Sequence, residues 1–128
     1  MGYAGVTNSG GDHQQKLDLL SQSKGLIFPV RWHEPFGLAI TESLYFGCPI
    51  FATPYGSLPE LVTSEVGYLS NNHQELSQAI LSADDFNRND CHAYARDVFD
   101  ALTMAKKYTK AYENVLNGQF LNKDIPRL

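Results

Sequence analysis

Two hydrophobic periods alternate along the chain. Short apolar runs bounded by Gly or Pro occur at residues 25–30 ("GLIFPV"), 49–53 ("PIFAT") and 66–70 ("VGYLS"), as short buried parallel strands do. Residues 1–6 read as another short strand. Helical spacing occupies the intervals: residues 13–22, burying Leu17 and Leu20, then 37–46, 74–83, 89–99 and 101–116. The punctuation agrees. Asp12 with Gln15 three residues on, and Ser57 with Glu60, have the form of capping boxes, and Pro59 stands in a first turn where its missing N–H does no harm. Gly47 predicts a helix stop in the C′ position. Asp100 predicts a cap for the last helix, and Gly118 follows its end. There is no internal repeat, and residues 119–128 have no clear pattern. Strands alternating with helices predict an α/β fold with a parallel sheet and flanking helices.

One segment breaks its own pattern. Residues 38–46 are almost entirely apolar, yet Glu42 interrupts them, and Glu34 lies just upstream against Pro35. In parallel α/β sheets ligands sit beyond the carboxyl ends of the strands, which directs attention to "RWHEPFG" after the 25–30 strand. Pro35 fixes φ and keeps the residue before it extended. Gly37 removes a side chain where the helix begins. The first N–H groups, of Phe36, Gly37, Leu38 and Ala39, then lack intrahelical partners and form an anion site with the helix dipole. Helical side chains lean toward the N-terminus, so Glu42 reaches back over that site while Glu34 approaches from the strand side. Carboxylates accept hydrogen bonds from hydroxyls. Diphosphate on the helix start, with sugar and ribose hydroxyls on the glutamates, makes a nucleotide-sugar site. Two plainer readings stay open and are the better ones for two glutamates taken alone: Glu34 complementing the helix dipole, and Glu42 on an exposed helix edge. His33 is the only histidine beside the site, and a structural or surface role suits it better than catalysis.

Composition narrows the classes. A chain of 128 residues with 43% hydrophobic residues is expected to form one globular domain. A net charge of -4 argues against a nucleic-acid partner. Lys106, Lys107 and Lys110 cluster near Glu113, as on a solvated helix face. Cys48 and Cys91 provide neither a disulfide framework nor zinc spacing, which fits a reducing, cytoplasmic setting, and Cys48 reads as a small buried residue. No apolar run approaches transmembrane length and no signal peptide is visible. Met1-Gly2 lacks the Ser or Thr that myristoylation requires, since Val6 stands there.

The stretch "FPVRWHEPFGLAITESLYFGCPIFATPYGSLPELV" resembles the donor-binding, C-terminal domain of retaining GT-B glycosyltransferases, the glycosyl transferase group 1 family. Its E-x7-E signature falls on Glu34 and Glu42. The preceding strand, the "EPFGL" turn, the Gly47-x-Pro49 turn and "GSLPELV" follow in the same order and spacing. The likeness covers about residues 1–112, with Gly2-Tyr3 matching the end of an earlier strand. It implies a partial Rossmann-like domain over residues 1–118 and a tail over 119–128. It implies that Glu34 contacts donor-sugar hydroxyls and helps stabilise the reacting sugar, that Glu42 binds the ribose, and that the amides of Phe36, Gly37 and Leu38 hold sugar and diphosphate. Transfer would retain anomeric configuration without a metal or other cofactor, from a UDP- or GDP-linked donor; "FPVRWHEPFGL" is similar to members using UDP-glucose-like donors. The family also has a second, acceptor domain and upstream Arg and Lys residues, which this sequence does not match; Arg31 does not occupy their position. The expectation is therefore a donor-binding portion, inactive alone, whose acceptor domain is supplied in cis or trans. Its 25–30 strand would be an open sheet edge, able to pair with another copy. Two rivals remain: a non-catalytic interaction module using that edge, and a glycoside-hydrolase carboxylate pair spaced roughly 5–10 Å apart.

Overall fold

The computed structural model describes residues 13–122. The strand expected over residues 1–6 and the Asp12 cap lie outside them. The elements follow in the order α1 (His13–Gln22), β1 (Leu26–Phe28), α2 (Leu38–Tyr45), β2 (Ile50–Ala52), α3 (Leu58–Leu61), β3 (Gly67–Leu69), α4 (His73–Leu81), a short 3-10 turn (Ala83–Asp85), α5 (Arg88–Val98) and α6 (Ala101–Leu116). The three strands form one parallel sheet in the order β1-β2-β3. Leu26 pairs with Ile50 and Phe28 with Ala52, while Ile50 pairs with Gly67 and Ala52 with Leu69. The chain is thus an α/β protein with a parallel sheet flanked by helices, as expected for part of a Rossmann-like domain.

Burial explains the strand sequences. β2 is central and all three of its residues are buried. β1 departs from the expectation of a buried strand. Only Leu26 is fully covered, and Ile27 stays 36% exposed. The cause is position, since among the described residues β1 has a strand on one side only. Gly67 sits where β3 meets β2 so closely that a Cβ would lie 2.3 Å from the Ile50 carbonyl oxygen.

The core gathers Ile40 and Leu44 of α2, Ile50 and Ala52 of β2, Leu58 and Leu61 of α3, Val66, and Cys91 and Ala95 of α5. α5 lies along α2. Leu17 and Leu20, expected in the core, are only half-buried, and α1 has no fully buried residue. The helix ends follow the sequence signals. Asp100 accepts hydrogen bonds from the N–H groups of Leu102 and Thr103 at 2.9 and 3.1 Å, and its carboxyl is held below the usual carboxylate range chiefly by Thr103. Gly47 adopts φ 76° just beyond α2, in the αL stop position. The Ser57–Glu60 capping box does not form. Ser57 is itself helical, at φ -75° and ψ -11°, and its hydroxyl donates to Phe36 O instead.

Both cysteines are buried. Burial pushes the Cys91 thiol from its ordinary 9.0 up to about 11, with help from nearby Cys48 and Asp90. Burial also raises Cys48, against the pull of Arg88. A raised thiol pKa means that the folded chain keeps a proton that the unfolded chain releases first. The Cys91 contribution to stability is therefore intact below pH 9 and is lost as pH rises toward 11. Thermal melts should show Tm falling across that window, and Cys91→Ser should flatten the fall.

Candidate functional site

The turn after β1 is built by restraints from a distant loop. Ser57 N donates to Glu34 O at 2.9 Å, and Ser57 Oγ donates to Phe36 O at 3.1 Å. Gly56, at φ 66°, presses against the same backbone: a Cβ there would lie 2.3 Å from Glu34 N and 2.4 Å from Glu34 O. No side chain fits, and L residues avoid that conformation. The residues read from sequence as a helix cap therefore hold the Glu34–Phe36 backbone in place.

Gly37 is the N-cap of α2, in the left-handed conformation at φ 87° and ψ 69°. Its carbonyl accepts the Ile40 N–H at 3.0 Å. Among the described residues, no carbonyl or side chain accepts from the N–H groups of Phe36, Gly37, Leu38 or Ala39. Gly37 is buried, whereas Phe36, Leu38 and Ala39 are exposed. Among the described residues the helix start is therefore bare, and it begins one residue later than the spacing predicts.

Of the two glutamates, Glu34 lies at this turn and Glu42 faces α1, and each has its own partner. Glu34 is half-buried, and its Oε2 accepts from the Trp32 indole N–H at 3.0 Å. Its Cγ would be 3.5 Å from a Cβ placed on Gly37, so it backs directly onto the helix start. Glu42 lies one helical turn beyond Leu38, about 6 Å along the axis. Its side chain is 44% exposed, and Oε1 pairs with Lys16 Nζ of α1 at 2.8 Å. The charge that interrupts the apolar run thus stands at the rim of α2 rather than in the core. Glu42 also lines a cavity of about 380 Å³ between α1, α2 and the end of α5, with Lys16, Leu20, Tyr45 and Phe99. Glu34 does not line that cavity, and the two carboxylates share no hydrogen-bond partner. His33 is exposed and stands edge-on to Tyr55, with ring centroids 6.0 Å apart.

The far end of α2 is also held. Arg88 of α5 donates to Ser23 O at 2.7 Å and to Phe46 O at 3.0 Å, and His92 Nδ1 hydrogen-bonds Tyr45 O. A cation on the last carbonyls complements the negative end of the helix dipole. Arg88 is exposed, so Arg88→Met should cost about 1 kcal/mol, the net worth of an ordinary hydrogen bond or two. Urea denaturation would read this as a lower midpoint with an unchanged slope.

Lys16, Trp32, Gly56, Ser57 and Arg88 are what sequence reasoning missed. Only Ser57 carries a local signal, as the first residue of the capping box that its spacing to Glu60 suggests. Among the described residues no three His, Cys, Asp or Glu side chains gather at metal-binding distance, and no helix is long and apolar enough to cross a membrane.

Comparison with known proteins decides the family. The sequence profile of "Glycosyl transferases group 1" matches residues 6–114. The chain belongs to the group 1 glycosyltransferases. It is similar to an uncharacterized 41.2 kDa protein of the cps region in Klebsiella pneumoniae, 25% identical over 110 residues, covering 80% of this chain and 30% of that protein. It is also similar to a probable sucrose-phosphate synthase of Thermosipho melanesiensis, 29% identical over 112 residues, covering 82% of this chain and 26% of that protein. The chain therefore spans less than a third of the length of either relative. Within this glycosyltransferase domain, the matched span contains the whole turn, both glutamates and α2.

Proposed function

We propose that these residues form the donor-binding portion of a retaining glycosyltransferase that takes its sugar from a nucleoside diphosphate sugar. The reading rests on the α2 start: among the described residues its consecutive N–H groups have no partner, a left-handed Gly37 opens it, Glu34 backs onto it, and Glu42 follows one turn later on the same helix. The donor's diphosphate lies on the Gly37, Leu38 and Ala39 amides, where the helix dipole favours negative charge. Glu34 takes a hydroxyl of the transferred sugar and stabilises it as positive charge develops in the transition state. Glu42 takes a ribose hydroxyl, with Lys16 offsetting its charge beside an anionic ligand. The name of the Thermosipho relative is in keeping with a sugar-building enzyme.

Calorimetric titration tests this. UDP-glucose or GDP-glucose should bind in the millimolar range, glucose alone should not bind, and Glu42→Ala should weaken the nucleotide and the nucleotide sugar alike. The 128 residues alone should transfer no sugar, because the reading assigns the acceptor wall to a second domain. Rapid transfer to any acceptor by this chain would contradict that assignment.

Among the described residues β1 has no strand on its outer side, which favours one further reading, an interaction module that pairs through Ile27 and its backbone. A concentration-dependent dimer in light scattering, with no response to any nucleotide, would support it over donor binding.

A further inference from the structure

We infer that Trp32 is a positioning residue for Glu34: its indole N–H fixes one carboxylate oxygen so that the other is aimed at the hydroxyl of the donor sugar. The inference rests on the donor-sugar reading of Glu34 and names a residue that reading does not include. Trp32 is the only tryptophan in the chain, and it is 59% exposed. An exposed indole so close to a carboxylate calls for an explanation other than core packing. Its N–H donates to Glu34 Oε2 at 3.0 Å. A hydrogen bond to a charged acceptor is among the stronger kinds.

The rest of Glu34 is already fixed. Its carbonyl accepts from Ser57 N, its backbone is wedged against Gly56, and Pro35 restricts it from the C-terminal side. Backbone restraint alone leaves the side chain free to turn about its own torsions. The indole removes that freedom, and among the described residues Oε1 is left without a partner. A reactive group held by a locked backbone and a side-chain tether has the preorganisation that binding and catalysis require. Trp32 acts through Glu34, so it should matter for the sugar and not for the nucleotide.

A lone tryptophan gives one indole N–H resonance, which makes the test direct. Glu34→Ala, with no ligand present, should move that resonance upfield and speed its exchange with water. In the wild-type chain, UDP-glucose should shift it and UDP should not. Trp32→Phe keeps an aromatic ring and loses the donor. It should weaken UDP-glucose binding about tenfold while leaving UDP binding unchanged, since the freed carboxylate must then be ordered each time the sugar binds. An indole resonance indifferent to Glu34→Ala would overturn the inference, as would equal loss of UDP and UDP-glucose in Trp32→Phe. If neither nucleotide moves the Gly37 amide, the donor-site reading fails instead, and the ligand-free Glu34→Ala comparison still decides whether Trp32 holds Glu34.

Discussion

Gly56→Ala is expected to destabilise the fold by about 3 kcal/mol or more, the range of changes that force backbone apart at a strained position. The new Cβ would lie 2.3 Å from Glu34 N and 2.4 Å from Glu34 O, and backbone cannot swing aside as a long side chain can. The residue would also have to keep φ 66°, which costs an alanine roughly 1 kcal/mol by itself. Gly118 provides the control. It has φ 76°, but a Cβ there meets nothing within 4 Å. Gly118→Ala should therefore cost only the conformational part, about 1 kcal/mol. Urea denaturation of both variants separates the terms. Equal losses would mean that the Gly56 loop does not press on Glu34.

The second large effect belongs to Gly37→Ala, and it should fall on binding as well as on stability. Gly37 has φ 87°, and a Cβ would come 3.0 Å from Ile40 Cδ1, the end of a flexible side chain that can shift. Stability should drop by about 1–2 kcal/mol, the cost of an L side chain in the left-handed region. Relaxing that residue should reorient the peptide that leads into α2, and nucleoside diphosphate affinity should fall at least about tenfold, or ~1.4 kcal/mol. Unchanged UDP affinity in a folded Gly37→Ala chain would remove the α2 start from the binding site.

Most of the architecture was legible because short-range rules dictate it. Asp100, Gly47 and Gly118 mark helix ends through their own backbone chemistry, and the central strand β2 is apolar throughout because neighbours cover it on both sides. The bare helix start was legible for the same reason, as Pro35 and Gly37 act locally. What escaped was long-range. Arg88 reaches Ser23 and Phe46 across 65 and 42 residues, and Lys16 reaches Glu42 across 26. No periodicity encodes such pairs. Ser57 shows the same limit: its sequence fits a cap, but the nearby Phe36 carbonyl takes its hydroxyl and Glu34 its N–H. Glu42 lay between the two cases. The sequence marked it as a charge inside an apolar run but could not supply its partner, Lys16 of α1, which holds it at the rim of α2.

α6 presents a separate surface. Leu102, Met104, Tyr108, Tyr112, Val115 and Leu116 are each more than half exposed. Lys106, Lys107 and Lys110 are exposed as well, in accord with the solvated face read from their clustering.

If the start of α2 binds the diphosphate of a nucleotide sugar, as proposed, its amides must sense the donor. Titrating the isotope-labelled chain with UDP-glucose and GDP-glucose, and following backbone amide resonances, tests it most directly. Saturable shifts should concentrate at Gly37, Leu38 and Ala39, with a smaller response at Glu42 and none along α6. Unmoved resonances at Gly37 and Leu38 with both donors at millimolar concentration would contradict the proposal.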